Sequence, residues 1–349
     1  MKIKAAGLLL CTFLVGCGGG EAPFGEDAVP DDGSTTDGTI DSDRTLPPGT
    51  ESPQPSTTIF RKEAEDNSGN GFAQNIRYDS ATDTFAVDNL PFDGGEDTPY
   101  IRGQAVGSLG DYAVYEAVDQ FPDSLNGSPI NQFRHRAIYG VSRSGDTEFA
   151  IIRTGDYVNY GFGGFVYERN GTVDLPTSGQ ALYNGRGAGL RDYQGRGGLE
   201  FTTSSVQVAI DFDDFNETTG RYEGAVDGFL FDRTIFDLSG NEITDDVLAR
   251  INEANDAALT AVPTAVFTIS TNALDPNGEI TGSLTSRFAN TSGEIIEFET
   301  GTYYGILSGE DAGELVGIIV TETTRDPTAD NVRETTGFTI YREALGGTP

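Results

Sequence analysis

One histidine, two cysteines and nineteen arginines are the residues in this 349-residue chain best suited to do chemistry. His135 is the sole imidazole, so a general base of the serine-hydrolase kind must use it. It lies in NQFRHRAIYG between Arg134 and Arg136, with no G-x-S-x-G turn to serve. A surface strand position is the expectation for it. Two acidic runs, Asp211-Phe212-Asp213-Asp214 and Asp275-Pro276-Asn277-Gly278-Glu279, are oxygen-rich in the manner of calcium loops. Neither fits the spacing of a calcium-binding loop, and Asp-Pro-Asn-Gly is a good turn in its own right. Zinc lacks its usual His and Cys ligands. No catalytic residue, metal site or cofactor is therefore expected. The arginines are more informative. Arg134 and Arg136 form one basic cluster, and Arg186, Arg191 and Arg196 form another beside Tyr193. Arg with Tyr is the composition of interface hot spots, which makes these six residues candidates for binding a partner. The competing expectation is internal pairing with the chain's many carboxylates.

Both cysteines fall before residue 18. Lys2 and Lys4 precede an apolar run from Ala5 to Gly16, which is a signal-peptide pattern and too short for a membrane span of roughly 20 residues. Leu14-Val15-Gly16-Cys17 resembles the bacterial lipobox. That resemblance implies cleavage before Cys17, a diacylglycerol on its sulfur and acylation of its new amino group. More than one chain makes such an anchor stable. Cys11 leaves with the leader and Cys17 is blocked, so no disulfide, thiol nucleophile or cysteine metal site is expected. Gly18 stands where inner-membrane lipoproteins carry Asp, which favours the outer membrane and, in this reading, the cell surface. Residues 18–58 hold nine acids and one base, Arg44, among Pro, Gly, Ser and Thr. Such a segment buries too little to offset its ordering entropy. It is read as a disordered tether, spanning about 35 Å as a flexible coil.

The net charge is −33. The leader carries +2 and the tether −8, leaving −27 on residues 59–349. That acidity excludes nucleic acid as a partner. It leaves the membrane, reached through Cys17, and an extracellular protein or small ligand. A monomer is the expected state.

Glycine is abundant (46 residues), Trp is absent, and Phe and Tyr occur in short alternating runs. This is an all-β pattern. Residues 59–172 hold several candidate strands, including hairpins that turn at 79–83 and at 143–146. VDLPTSG (173–179) punctuates the chain. Beyond it, SSVQVAIDF places Val206, Val208, Ile210 and Phe212 on one face. Eight or nine strands follow in about 170 residues, which suits a closed antiparallel barrel. One helix near 244–260 interrupts them, with Thr244 as N-cap and Pro263 as stop. It either lies on the barrel or caps one end.

LPTSGQALYNGRGAGL, VQVAIDFDDFNETTGRYEGAVDG, GTYYGILSGEDAGELVGIIV and GFTIYRE, in that order, resemble the barrel domain of transferrin-binding protein B-like surface lipoproteins. The resemblance covers roughly residues 173–345. It implies an eight-stranded antiparallel β-barrel (173–349) preceded by a smaller β handle domain (59–172), behind a leader (1–16) and a lipidated tether (17–58). It also implies a non-catalytic lipoprotein that captures an extracellular partner, such as a source of iron or another nutrient. One handle and one barrel, in place of two lobes, argue against transferrin itself. The alternative is a carrier holding a small molecule in the barrel mouth.

Overall fold

The computed structural model describes residues 45–343 except 66–70, 72, 89, 91–98, 119–123, 129–134, 156–158, 214, 217–220, 223–225 and 270–272. The leader, Cys17, the tether up to residue 44, and Arg134 lie outside the described residues.

Short strands build the first sheet: β1 (Ile59–Lys62), β2 (Ile76–Asp79), β3 (Thr84–Val87), β4 (Tyr100–Arg102), β5 (Ser108–Leu109), β6 (Tyr112–Ala117), β7 (Arg136–Val141), β8 (Thr147–Arg153) and β9 (Gly163–Arg169). Their order is β1-β9-β8-β7-β6-β4-β3-β2, with β5 beside β6, and every pairing is antiparallel. The sheet curls. Tyr78 on β2 packs on Tyr139 of β7 with ring centroids 5.2 Å apart. In a flat sheet, with three strands between them, they would stand about 19 Å apart.

The chain then closes the expected eight-stranded barrel: β10 (Gln180–Gln194), β11 (Leu199–Asp211), β14 (Val226–Phe236), β15 (Ala265–Phe267), β16 (Glu279–Ala289), β17 (Ile295–Ser308), β18 (Glu314–Thr323) and β19 (Asn331–Arg342). A hairpin, β12 (Phe215–Asn216) and β13 (Arg221–Tyr222), stands outside it. Closure comes from β10 pairing with β19, from Tyr183↔Arg342 to Gln194↔Asn331. Period-2 alternation sets the two faces. Val206, Val208 and Ile210 point into the lumen, opposite Gly185, Tyr183 and Ala181.

The outer face of β10, β17 and β18 (Leu190, Ile306, Val316, Ile318) packs on Val114, Ile138, Phe149 and Ile151 of the curled sheet in one apolar cluster. Gly337 makes this approach possible. A Cβ there would sit 2.1 Å from the Phe149 ring. The Tyr112 hydroxyl donates to the Arg186 carbonyl (2.6 Å) and accepts the Thr339 N–H (2.9 Å) across the same seam.

Two expectations change. The tether was read as disordered to residue 58, but residues 45–58 form a strap held to the sheet and barrel. Gly49 bridges to Arg61. The Arg61 Nη1 donates to the Thr50 carbonyl (3.1 Å), and Arg169 Nη2 to the Gln54 carbonyl (3.1 Å). Composition predicted too little apolar burial for order. The backbone carbonyls of the strap instead meet the needs of two buried guanidiniums.

The helix, α1 (Thr244–Asn255), begins where expected but ends earlier. Thr244 is not its N-cap, since its hydroxyl accepts the Ile235 N–H (2.9 Å) of β14. Asp256 takes a left-handed φ of 48° and ends the helix well before Pro263, while the Asn252 side chain clamps Leu259 by two hydrogen bonds. Val247, Leu248 and Ile251 pack with Ile235, Phe288 and Phe298, so α1 covers the barrel end where β11 begins and β14 finishes. Among the described residues no helix is long and apolar enough to cross a membrane.

Candidate partner-binding surface

The structure separates the arginines that looked alike in sequence. Arg191 and Tyr193 share the inward parity of Tyr183 on β10, and both are enclosed. Arg191 bonds Glu200, its direct cross-strand partner, and approaches Glu334 on the other side (3.8 Å). Arg136 is also buried, its Nε 3.3 Å from Glu116 of the adjacent strand. These three are withdrawn from the candidate surface, because Arg191 and Arg136 pair within the walls that bury them and Tyr193 is enclosed. Arg186 is exposed on the outer barrel face, and half-buried Arg196 lies 3.6 Å over the Tyr193 ring at the turn after β10. Eight residues of strand, roughly 26 Å, separate Arg186 from the end of β10, so the two do not make one patch. His135 is not on the surface. It is fully buried against Tyr100, with ring centroids 6.3 Å apart. In the acidic run at 275–279, Asp275 Oδ1 accepts the Asn277 and Glu279 N–H groups (2.9 Å each), which is turn chemistry.

The lumen is filled from two directions. One half is apolar: Phe267 stacks on Tyr303 at 4.0 Å among Val206, Val208, Leu230, Phe338 and Ile340. The other half is ionic. Arg233 grips Glu299 with two hydrogen bonds (2.8 and 2.6 Å) and donates to the Pro263 carbonyl (2.6 Å). Glu334 lies 3.7 Å from Arg233 and accepts from Thr202 and Thr336. Arg250 of α1 reaches in, 3.7 Å from Glu200 and 2.7 Å from Asp326. Burial works against the Arg233 charge, and Glu299 and Glu334 overcome it, so its pKa stays above the ordinary value.

Surface concavities accompany the filled barrel, and two of them lie against the curled sheet. A groove of about 470 Å³ runs along the seam beneath the strap, between Pro47, Phe165, Thr302, Tyr304 and Glu322. A cleft of about 260 Å³ opens in the curled sheet. Tyr78, Tyr115 and Tyr139 supply its aromatic wall, with Tyr78 39% exposed. Arg102 lies 4.8 Å over the Tyr115 ring and bonds both oxygens of Asp83 (3.0 and 2.8 Å). Asp83 takes a left-handed φ of 50° in the turn between β2 and β3, which also brings it to the Tyr78 and Tyr115 hydroxyls. Arg102, then Tyr115, hold its carboxyl below the usual range. Nothing in the sequence grouped these residues, which span 78 to 141. The only signal was a tyrosine in each of three predicted strands.

Beside the cleft, Tyr139 donates to Glu148, which stands directly across from Glu168 on β9. Burial, then the hydrogen bond to Glu148, raises Glu168 to about 7 from an ordinary 4.5. The folded state therefore holds this proton more tightly than the unfolded chain. The stabilisation is complete below about pH 4.5 and is lost as pH rises through 7. Glu168→Gln should leave stability at pH 5 nearly unchanged and raise it at pH 8 by about 1 kcal/mol, discounted for partial exposure. Urea melts of both proteins at the two pH values check this. Equal pH dependence would refute the raised affinity of Glu168 for its proton.

No family model matches the chain, and no curated protein does. Among solved structures it is similar to a double mutant of transferrin-binding protein B from Haemophilus parasuis Hp5, with TM-score 0.37 and 11% identity over 79% of this chain and 48% of that one. A mutant of the same protein from Actinobacillus pleuropneumoniae H49 gives TM-score 0.29 and 13% identity over 57% and 79%. The isotype 1 protein from serogroup B Neisseria meningitidis gives 0.29 and 14% over 65% and 36%. This chain spans about half the length of the Haemophilus protein. Likeness of this degree carries no argument about ligand or activity.

Proposed function

We propose that this chain is a non-catalytic, lipid-anchored lipoprotein of the outer-membrane surface that binds an extracellular partner with its outer faces. The filled lumen carries the choice between binding modes. Among the described residues, Phe267, Tyr303 and Phe338 occupy one half and the Arg233–Glu299 and Arg191–Glu200 pairs the other, which favours the outer faces over a molecule carried in the barrel. The sheet and barrel, locked by Phe149 over Gly337 and by Tyr112, offer a stiff surface that loses little entropy on docking. The lipobox-like run ending at Cys17 supports the anchor, and the acidic segment after it supports a reach beyond the membrane. Arg186 and Arg196 remain candidates on this surface.

Protease shaving of intact and lysed cells, detecting the fragment from residue 45 onward, tests the placement. Loss of the fragment from intact cells is the expected result. Loss only after lysis would put the domain in the periplasm and overturn surface capture.

A further inference from the structure

The tyrosine cleft has a chemistry that selects its occupant. Its volume, about 260 Å³, is below the roughly 300–1,000 Å³ of sites for drug-sized molecules and suits one long side chain. Its walls are aromatic, with Tyr78 and Val141 leaving 39% and 50% of their surfaces in solvent. Among the described residues that line it, the one cation, Arg102, is committed to Asp83 through two hydrogen bonds and to the Gly107 carbonyl through a third (3.1 Å). Exposed Asp111 also lines the cleft, and Glu148 stands at its edge as the acceptor of the Tyr139 hydroxyl. The site is thus net negative, on a chain of net charge −33. An anionic ligand is repelled, and a neutral apolar one would bury carboxylates. A flat cation meets both needs, because its face lies on a tyrosine ring and its edge donates to a carboxylate. Arg102 over Tyr115 already displays this contact within the cleft.

We propose that this cleft is the docking site for an arginine side chain of a basic partner protein, its guanidinium lying on the exposed face of Tyr78 with Asp111 as counter-charge. The reading rests on the proposed capture of an extracellular protein and names the chemistry of that partner. A lysine fits less well, since it lacks the planar face that lies on tyrosine. The surrounding acidic surface would speed the encounter, and the cleft would set the register.

The test is calorimetric titration of the full-length protein in detergent with an oligo-arginine peptide. About 0.5 M NaCl shortens the screening length to roughly 4 Å and suppresses diffuse attraction. Saturable binding is expected to persist there. Tyr78→Ala and Asp111→Lys should each weaken it by about 5- to 30-fold, the worth of a partly desolvated cation–π contact or charge pair. Glu253→Lys makes the same change of charge on the exposed side of α1 and should bind like the unaltered protein. No saturable binding at this salt, unaltered binding by both cleft variants, or an equal loss in Glu253→Lys would each overturn the site. Tyr78 sits on an edge strand and is part-exposed, so its variant should fold, which a thermal melt checks. This titration reads the site in vitro and does not depend on the shaving result. Surface display without arginine binding would refute the cleft alone, and arginine binding by a periplasmic domain would refute display alone.

Discussion

Asp192→Ala should cost about 4 kcal/mol of stability and free the curled sheet from the barrel. Asp192 is fully buried at the seam. Its carboxylate bonds Arg333 of the adjacent strand at 2.5 and 3.1 Å and lies 3.5 Å from Arg153 of the sheet. Glu63 completes the group, 2.9 Å from Arg153 and 3.7 Å from Arg333. Two acids and two bases thus balance across the seam, with the Arg333 guanidinium 4.2 Å over the Tyr160 ring. Burial works against the Arg333 charge, and Asp192 and Glu63 overcome it, raising its pKa. Removing Asp192 leaves two buried cations sharing one carboxylate, and breaking a buried pair in this way costs about 3–5 kcal/mol. Urea denaturation measures the loss. Proteolysis should find the seam strands newly accessible, and Asp192→Asn, which keeps an acceptor, should lose less. A loss under about 1 kcal/mol would mean that Glu63 alone carries both arginines.

The second large effect lies inside the barrel. Glu299→Ala should destabilise by about 3–5 kcal/mol, because it leaves fully enclosed Arg233 with Glu334 at 3.7 Å as its nearest acid. The Arg233→Met, Glu299→Leu double variant should recover most of that loss. Replacing both charges with apolar groups of similar volume removes the desolvation penalty together with the attraction. The recovery is the informative outcome, read as the coupling in a double-mutant cycle. A double variant no more stable than Glu299→Ala would show that the pair stabilises the barrel outright. Recovery would instead show that the desolvation of the two charges offsets their attraction, so that the pair adds little net stability.

These residues mark the limit of what was legible in the sequence. Alternation located the strands of the barrel, because adjacent residues on a strand face opposite ways whatever the fold around them. It also put Arg191 on the same face as Tyr183, so its burial was implicit in the pattern. Charge alone pointed the other way, and only the cross-strand registers Arg191↔Glu200 and Arg191↔Glu334 explain how an inward guanidinium is satisfied. The hairpin turns at 80–83 and 142–146 were readable for the same local reason. The tyrosine cleft was not. Tyr78, Tyr115 and Tyr139 meet only because the sheet curls, and curl is a property of many strands together.

By itself, then, the sequence determined the all-β class, the strand positions, the start of α1, the acidic excess and the lipobox-like run at Cys17. Each depends on interactions within a few residues, or on composition. The tertiary structure alone decided which carboxylates satisfy the inward arginines, that His135 is buried, that residues 45–58 form a strap and that α1 covers a barrel end. Those outcomes depend on register and on burial between residues far apart in the chain. Arg61 and Glu279, 218 positions apart, bond at 2.7 Å, and no local pattern carries that distance.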